Sequence, residues 1–189
     1  MKTQSEKLIS ELIEVTRQNL NFAELLKQKS DSELNWRENP ESWNVLECLE
    51  HLNMYGDFYI PEIEIAIKNS KTNFALDFKS GFLGNYFAMS MLPKGKLNKI
   101  KTFKNKNPLN SNLDKVSINR FVTQQLKFIE LLDKSRKIDL NKVKVKISIS
   151  KWIKLKLGDI FRFVINHNSR HIQQIERILA INKLIYNYF

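Results

Sequence analysis

Apolar residues recur at helical spacing over four long stretches of the chain. Glycine, proline and polar clusters fall in the gaps between them. The first stretch predicts a helix from Thr3 to Lys29. Leu8, Leu12, Val15, Phe22 and Leu26 share one face, with Asn19 as the polar interruption. "SDSELNWRENPES" then breaks the pattern, with Pro40 inside a polar run. A second helix is predicted to start between Ser42 and Asn44, either of which can cap it. Val45, Leu49, Leu52, Tyr55 and Tyr59 form its stripe, and Cys48 and His51 join that side. Pro61 is expected to kink or end this helix, or to sit in the first turn of a continuation.

From about Lys71 to Asn112 no long period survives. Gly81, Gly84, Pro93, Gly95 and Pro108 interrupt the stretch, "SGFLGNYFAMSML" has room for one short helix, and "PKGKLNKIKTFKNKNP" carries six lysines and reads as a solvated loop. A third helix is predicted from about Asp114 to Lys137, striped by Ile118, Val122, Ile129 and Leu132. "KVKVKISIS" then alternates with period two and is read as an extended segment packed on helices, with no partner strand evident. The fourth helix is predicted from about Leu157 to Asn182, with Asp159 at its positive end. Ile160, Val164, His167, His171, Gln174 and Ile178 share its inward face. The expected fold is therefore all-α, a four-helix bundle with a long irregular connection between helices 2 and 3.

Composition changes this picture little. The 189 residues suit one domain, taken as residues 1–189, and 5 Gly with 4 Pro favour long helices over many short strands. The acidic residues in "MKTQSEKLISELIEVTRQNL" speak against a signal or transit peptide, and no apolar run approaches the roughly 20 residues of a membrane span. With the single Cys48 excluding an internal disulfide, a cytoplasmic location without membrane contact is expected. The net charge of +11 invites a nucleic-acid reading. The excess is mostly lysine beside abundant asparagine, no recognition motif is present, and nucleic acid is disfavoured as partner. The charge instead suits solubility or an anionic small substrate.

The candidate chemistry lies in three histidines. His167 and His171 stand at i, i+4 on an inward stripe, so both imidazoles leave one helix face. Burying them requires partners, and one metal ion serves both. His51, from the second helix, would complete a set of three ligands with coordination positions left open. Glu47, one turn before His51, is a candidate to orient it or to act as a general base near the metal. Gln174, three residues after His171, is a candidate hydrogen-bond partner at the site, whereas Arg170 projects about 100° away and is expected to pair with a carboxylate. Cys48 is read as a small buried hydrophobe rather than a fourth ligand. Trp36, Trp43 and Trp152 are read as core and bundle-end packing.

Two regions, "ESWNVLECLEHLNMYGDFY" and "LGDIFRFVINHNSRHIQQIERI", resemble the signature regions of the DinB-like superfamily, a group of bacterial four-helix-bundle proteins. The matching positions are Trp43, Asn44, Glu47, His51 and Leu52 in the first, and His167, Arg170, His171 and Gln174 in the second. Asn44 replaces the usual serine, and no ligand position is lost. The resemblance implies that His51, His167 and His171 bind a divalent metal, often zinc or nickel, at one end of a bundle cavity. It implies a metal-dependent enzyme of the thiol S-transferase or hydrolase type, a small-molecule substrate with a low-molecular-weight thiol as a candidate, and a homodimer as a common assembly. Two other readings stay open at this point: a non-enzymatic, metal-stabilised bundle that binds a small ligand or a protein, and a basic nucleic-acid-binding protein.

Overall fold

The computed structural model describes residues 1–92 and 102–186. Four long helices form the bundle: α1 (Ser5–Leu26), α3 (Val45–Lys68), α5 (Val116–Lys134) and α6 (Leu157–Tyr186). Helices α1 and α3 each pack against both α5 and α6, so they face each other across a diagonal. Two short helices, α2 (Asp31–Asn35) and α4 (Phe82–Ser90), lie in the connections.

The long helices match the periodic stretches because each carries a stripe that the neighbours bury. Leu8, Ile9, Leu12 and Ile13 of α1 join Phe128, Leu131 and Leu132 of α5 in one apolar cluster. Leu46, Leu49 and Leu52 of α3 join Ile172, Ile175 and Ile178 of α6 in another. Helix α3 starts at Asn44, whose side chain accepts from the Glu47 amide at 2.8 Å, while the Glu47 carboxylate accepts from the Asn44 amide at 2.9 Å. This reciprocal capping box satisfies two otherwise orphaned donors. The helix runs on through Pro61, which neither ends it nor opens a new one.

Two predictions on extended structure need correcting. The segment after α5 is not a lone extended stretch: β3 (Lys144–Ile147) pairs antiparallel with β4 (Ser150–Lys156) in a hairpin. The turn between them is Ser148–Ile149, which lacks the glycine or asparagine that marks most two-residue hairpin turns, so the partner strand carried no signal. The chain also begins in a strand rather than a helix, β1 (Lys2–Gln4), which pairs with β2 (Asp77–Lys79). Trp152 stands on the outer side of β4 and is 93% exposed, so it is not part of any core.

Helix α4 is the predicted short helix, and it is clamped on the start of α6. Asp159 accepts from the Ser80 hydroxyl and from the Gly81 amide, and Arg162 donates to Ser80, Asn85 and Asp159. Gly84 lets the two helices approach this closely, because a Cβ there would lie 2.3 Å from an Asp159 carboxylate oxygen. Residues 93–101, and with them much of the lysine-rich stretch, lie outside the described residues.

Candidate metal centre

The three histidines meet between α3 and α6. His51 projects from α3, and His167 and His171 from successive turns of α6. The Nε2 atom of His167 lies 3.3 Å from that of His51 and 3.2 Å from that of His171. All three ligand-type nitrogens lie within 4.8 Å of one another. His51 and His167 are buried and His171 is partly buried.

Hydrogen bonds outside the cluster set the tautomers. His51 Nδ1 donates to the Lys106 backbone carbonyl at 2.6 Å, and His171 Nδ1 donates to Gln174 Oε1 at 2.9 Å. A neutral imidazole has one N–H, so both of these rings turn a lone pair toward the cluster from Nε2. Among the described residues His167 has no partner on Nδ1. A proton on its Nε2 can serve only one of the two facing lone pairs. A single cation serves all three nitrogens. Two nitrogens bound to one tetrahedral zinc at about 2.05 Å stand about 3.3 Å apart, which is the spacing of both short pairs. The residues present fit a divalent metal.

Burial also keeps the rings neutral. It pushes the His51 pKa down to about 4, with the nearby Lys106 ammonium acting in the same direction against the carbonyl hydrogen bond. His171 falls to about 3 through burial and the adjacent His51, opposed by its bond to Gln174. His167 is likewise driven well below the ordinary imidazole range, chiefly by burial. Neutral imidazoles are what a metal requires as ligands.

The cluster forms part of the wall of a cavity of about 1030 Å³. Trp43 covers it from one side, its ring 4.7 Å from His51 and 5.8 Å from His171, and Tyr55 meets His167 edge-on at 4.7 Å. Burial raises the Tyr55 hydroxyl to about 12, with Tyr59 adding to the effect, so it stays a neutral donor. Arg170 and Arg177 are among the residues that line the cavity. Cys48 is fully buried in the apolar cluster and is not among the grouped ligands.

Glu47 is placed differently from a residue on the metal. Its Oε1 accepts from Arg37 Nη2 at 3.0 Å and from the Asn110 amide at 2.6 Å, while Oε2 is held by the Asn44 amide. Glu47 therefore fastens the segment 104–110 to α3, and that segment carries the Lys106 carbonyl that orients His51. Trp43 Nε1 donates to Asn107 Oδ1 at 2.9 Å, and Lys106 Nζ donates to the Met54 carbonyl at 2.6 Å. Asn110 is at φ 64°, a left-handed conformation that asparagine tolerates better than most residues. The end of the lysine-rich stretch is thus fastened as a strap across the site, while Phe103, Lys104, Asn105 and Asn107 stay exposed as expected of a solvated loop. Lys106, Asn107 and Asn110 were not legible as site residues, since they follow no period and their partners lie more than fifty residues away.

The family model of the DinB superfamily matches residues 13–175. Among solved structures the chain is similar to YfiT from Bacillus subtilis, described as a probable metal-dependent hydrolase with an unusual four-helix bundle topology. The TM-score is 0.54 at 14% identity, covering 95% of this chain and 87% of that one, and at this identity the likeness shows the fold alone. No curated protein matches the chain.

Proposed function

The chain belongs to the DinB superfamily, and from that premise we propose that it is a metal-dependent enzyme acting on a small-molecule substrate, of hydrolase or thiol S-transferase type. His51, His167 and His171 hold a divalent transition metal, zinc or nickel. The observation that carries this reading is the meeting of three neutral imidazoles on the wall of a large cavity. Three protein ligands leave positions for water or substrate, whereas a structural zinc site closes all four. When bound, such an ion supplies Lewis acidity and lowers the pKa of a coordinated water or thiol.

The residues around it divide the remaining work. Gln174 and the Lys106 carbonyl fix the tautomers of His171 and His51. Tyr55, neutral at every physiological pH, can donate to an oxygen of the reacting group. Arg170 and Arg177 offer positive charge to an anionic part of the substrate. Glu47 is assigned a positioning role through the strap, in place of the general-base role considered from sequence.

The test is metal content by elemental mass spectrometry on untagged protein, alongside His171→Ala. About one equivalent of transition metal in the wild type, lost in the variant, is the expected result. Protein that stays metal-free after incubation with zinc and nickel would overturn the reading. Hydrolysis and S-transfer assays on loaded protein, with and without added thiol, then separate the two reaction types.

A further inference from the structure

The cavity is built differently on the two sides of the histidines. Its outer side carries polar and charged groups, among them Glu38, Asn39, Glu41 and Arg177. Its inner side is a chamber walled by Tyr59, Phe87, Ile147, Leu155, Ile160 and Phe163. The rings lead away from the cluster in file. Phe163 stacks on His167 with centroids 6.0 Å apart and planes 13° from parallel, and Phe87 meets Phe163 at 6.3 Å. Tyr59 closes on Phe163 at 5.8 Å. The Tyr59 hydroxyl is already engaged with Ser148, so among the described residues the chamber offers ring faces and methyl groups and no charge. A reacting group bound at the histidines fills only a small part of a cavity of about 1030 Å³.

We propose that the chamber receives an apolar tail of the substrate, a straight alkyl or aryl-alkyl chain joined to the group that sits at the three histidines. From His167 back to Ile160 the helix rises about 10 Å, the length of an extended chain of roughly eight carbons. The position of the reacting group rests on the metal reading above, and the position of the tail rests on the wall residues. Each methylene buried there raises affinity about fourfold.

The probes are alkyl hydroxamates of increasing length, from acetohydroxamate to decanohydroxamate, because the head group chelates transition metals. Binding is measured by calorimetry to zinc-loaded and to metal-free protein. Affinity for the loaded protein is expected to rise about three- to fourfold per methylene and to level off near eight carbons. Phe87→Ala should move the plateau to longer chains and Ser148→Phe to shorter ones, with acetohydroxamate binding unchanged in both. Either variant suffices if the other fails to give the native circular dichroism spectrum. Equal affinity at all lengths would overturn the tail and leave the metal site standing. A length dependence that neither variant moves would also overturn it. A length dependence with no gain from zinc at any length would keep the chamber and overturn the metal reading instead.

Discussion

An imidazole shielded from water and ringed by two others resists protonation, and this has a consequence for acid stability. In the unfolded chain histidine titrates near the ordinary 6.5, whereas His51 in the fold lies at about 4 and His171 at about 3. Between those values the unfolded state binds more protons than the folded one. Stability of the metal-free protein therefore falls as pH drops below about 6.5, and goes on falling until the folded groups titrate. For His51 alone the loss by pH 4 is on the order of 3 kcal/mol. Urea midpoints of chelated protein between about pH 7 and pH 4 check this, and His51→Ala should make the profile shallower, with His167 and His171 carrying the rest. At the same scale, Gln174→Ala removes the acceptor that orients His171 and is expected to weaken zinc binding by about 10- to 100-fold. Gln174→Glu should retain or tighten it, since a carboxylate accepts the same N–H more strongly. A competition titration with a zinc chelator reads both. The histidines were legible because helical spacing brings i, i+4 residues to one face, whereas the use of Glu47 was hidden in a cap. Asn44 three residues before Glu47 is a capping-box pattern. Arg37 and Asn110, which complete the carboxylate's bonds, lie outside any periodic stretch.

Among the elements, the strap of residues 104–110 shows most clearly what periodicity misses. The long helices declare themselves through stripes that repeat, and even their caps follow local rules. The strap has no repeat; it is held by single bonds to Glu47, Trp43, Met54 and His51. The β3–β4 hairpin was half legible for a related reason. One strand alternates, but its turn is unmarked and its partner runs directly into α6. The strap predicts a particular pattern on mutation. Glu47→Ala leaves the Arg37 guanidinium, half-buried beside it, without its ion-pair partner and removes the carboxylate half of the α3 capping box, at a cost of about 3 kcal/mol in stability. Glu47→Gln keeps the cap's shape and should cost less. Asn110→Ala leaves Glu47 intact but strains a position at φ 64°, and is expected to cost about 1 kcal/mol. All three should also lower zinc affinity by loosening the carbonyl that orients His51. Denaturant midpoints and chelator competition on the same samples give both numbers. A Glu47→Gln variant with normal zinc affinity and a selectively abolished kcat in the assays proposed above would show that the carboxylate acts on the substrate instead.

Seen across the whole bundle, the three-histidine cluster lies where hydrophobic cohesion is interrupted. One apolar cluster gathers around Tyr59, Phe128 and Phe161, and the other around Leu49, Phe121 and Ile175. Between them runs a belt of buried polar residues drawn from all four long helices. Asn168 of α6 donates to Gln125 of α5 at 3.2 Å, and Ser169 donates to Asn19 of α1 at 3.3 Å. Asn53 of α3, two residues from His51, donates to the Ser117 carbonyl at 2.9 Å. Such a belt fixes how the helices register but contributes little net stability, because each buried polar group exchanges water for a protein partner. An ion held by His51, His167 and His171 would be a cross-link between α3 and α6 at this weak level. Zinc at a thousandfold excess over its dissociation constant should add about 4 kcal/mol, a rise of about 10 °C in Tm for a chain of this size. The decisive comparison is His51→Ala. If the i, i+4 pair on α6 carried the binding alone, that variant would keep most of the zinc-dependent rise. If the ion joins the two helices, His51→Ala should lose the rise as fully as His171→Ala does, while Cys48→Ala, buried nearby but outside the cluster, should keep it. Scanning calorimetry of the three variants with and without zinc separates a local helix clip from a bond that closes the bundle.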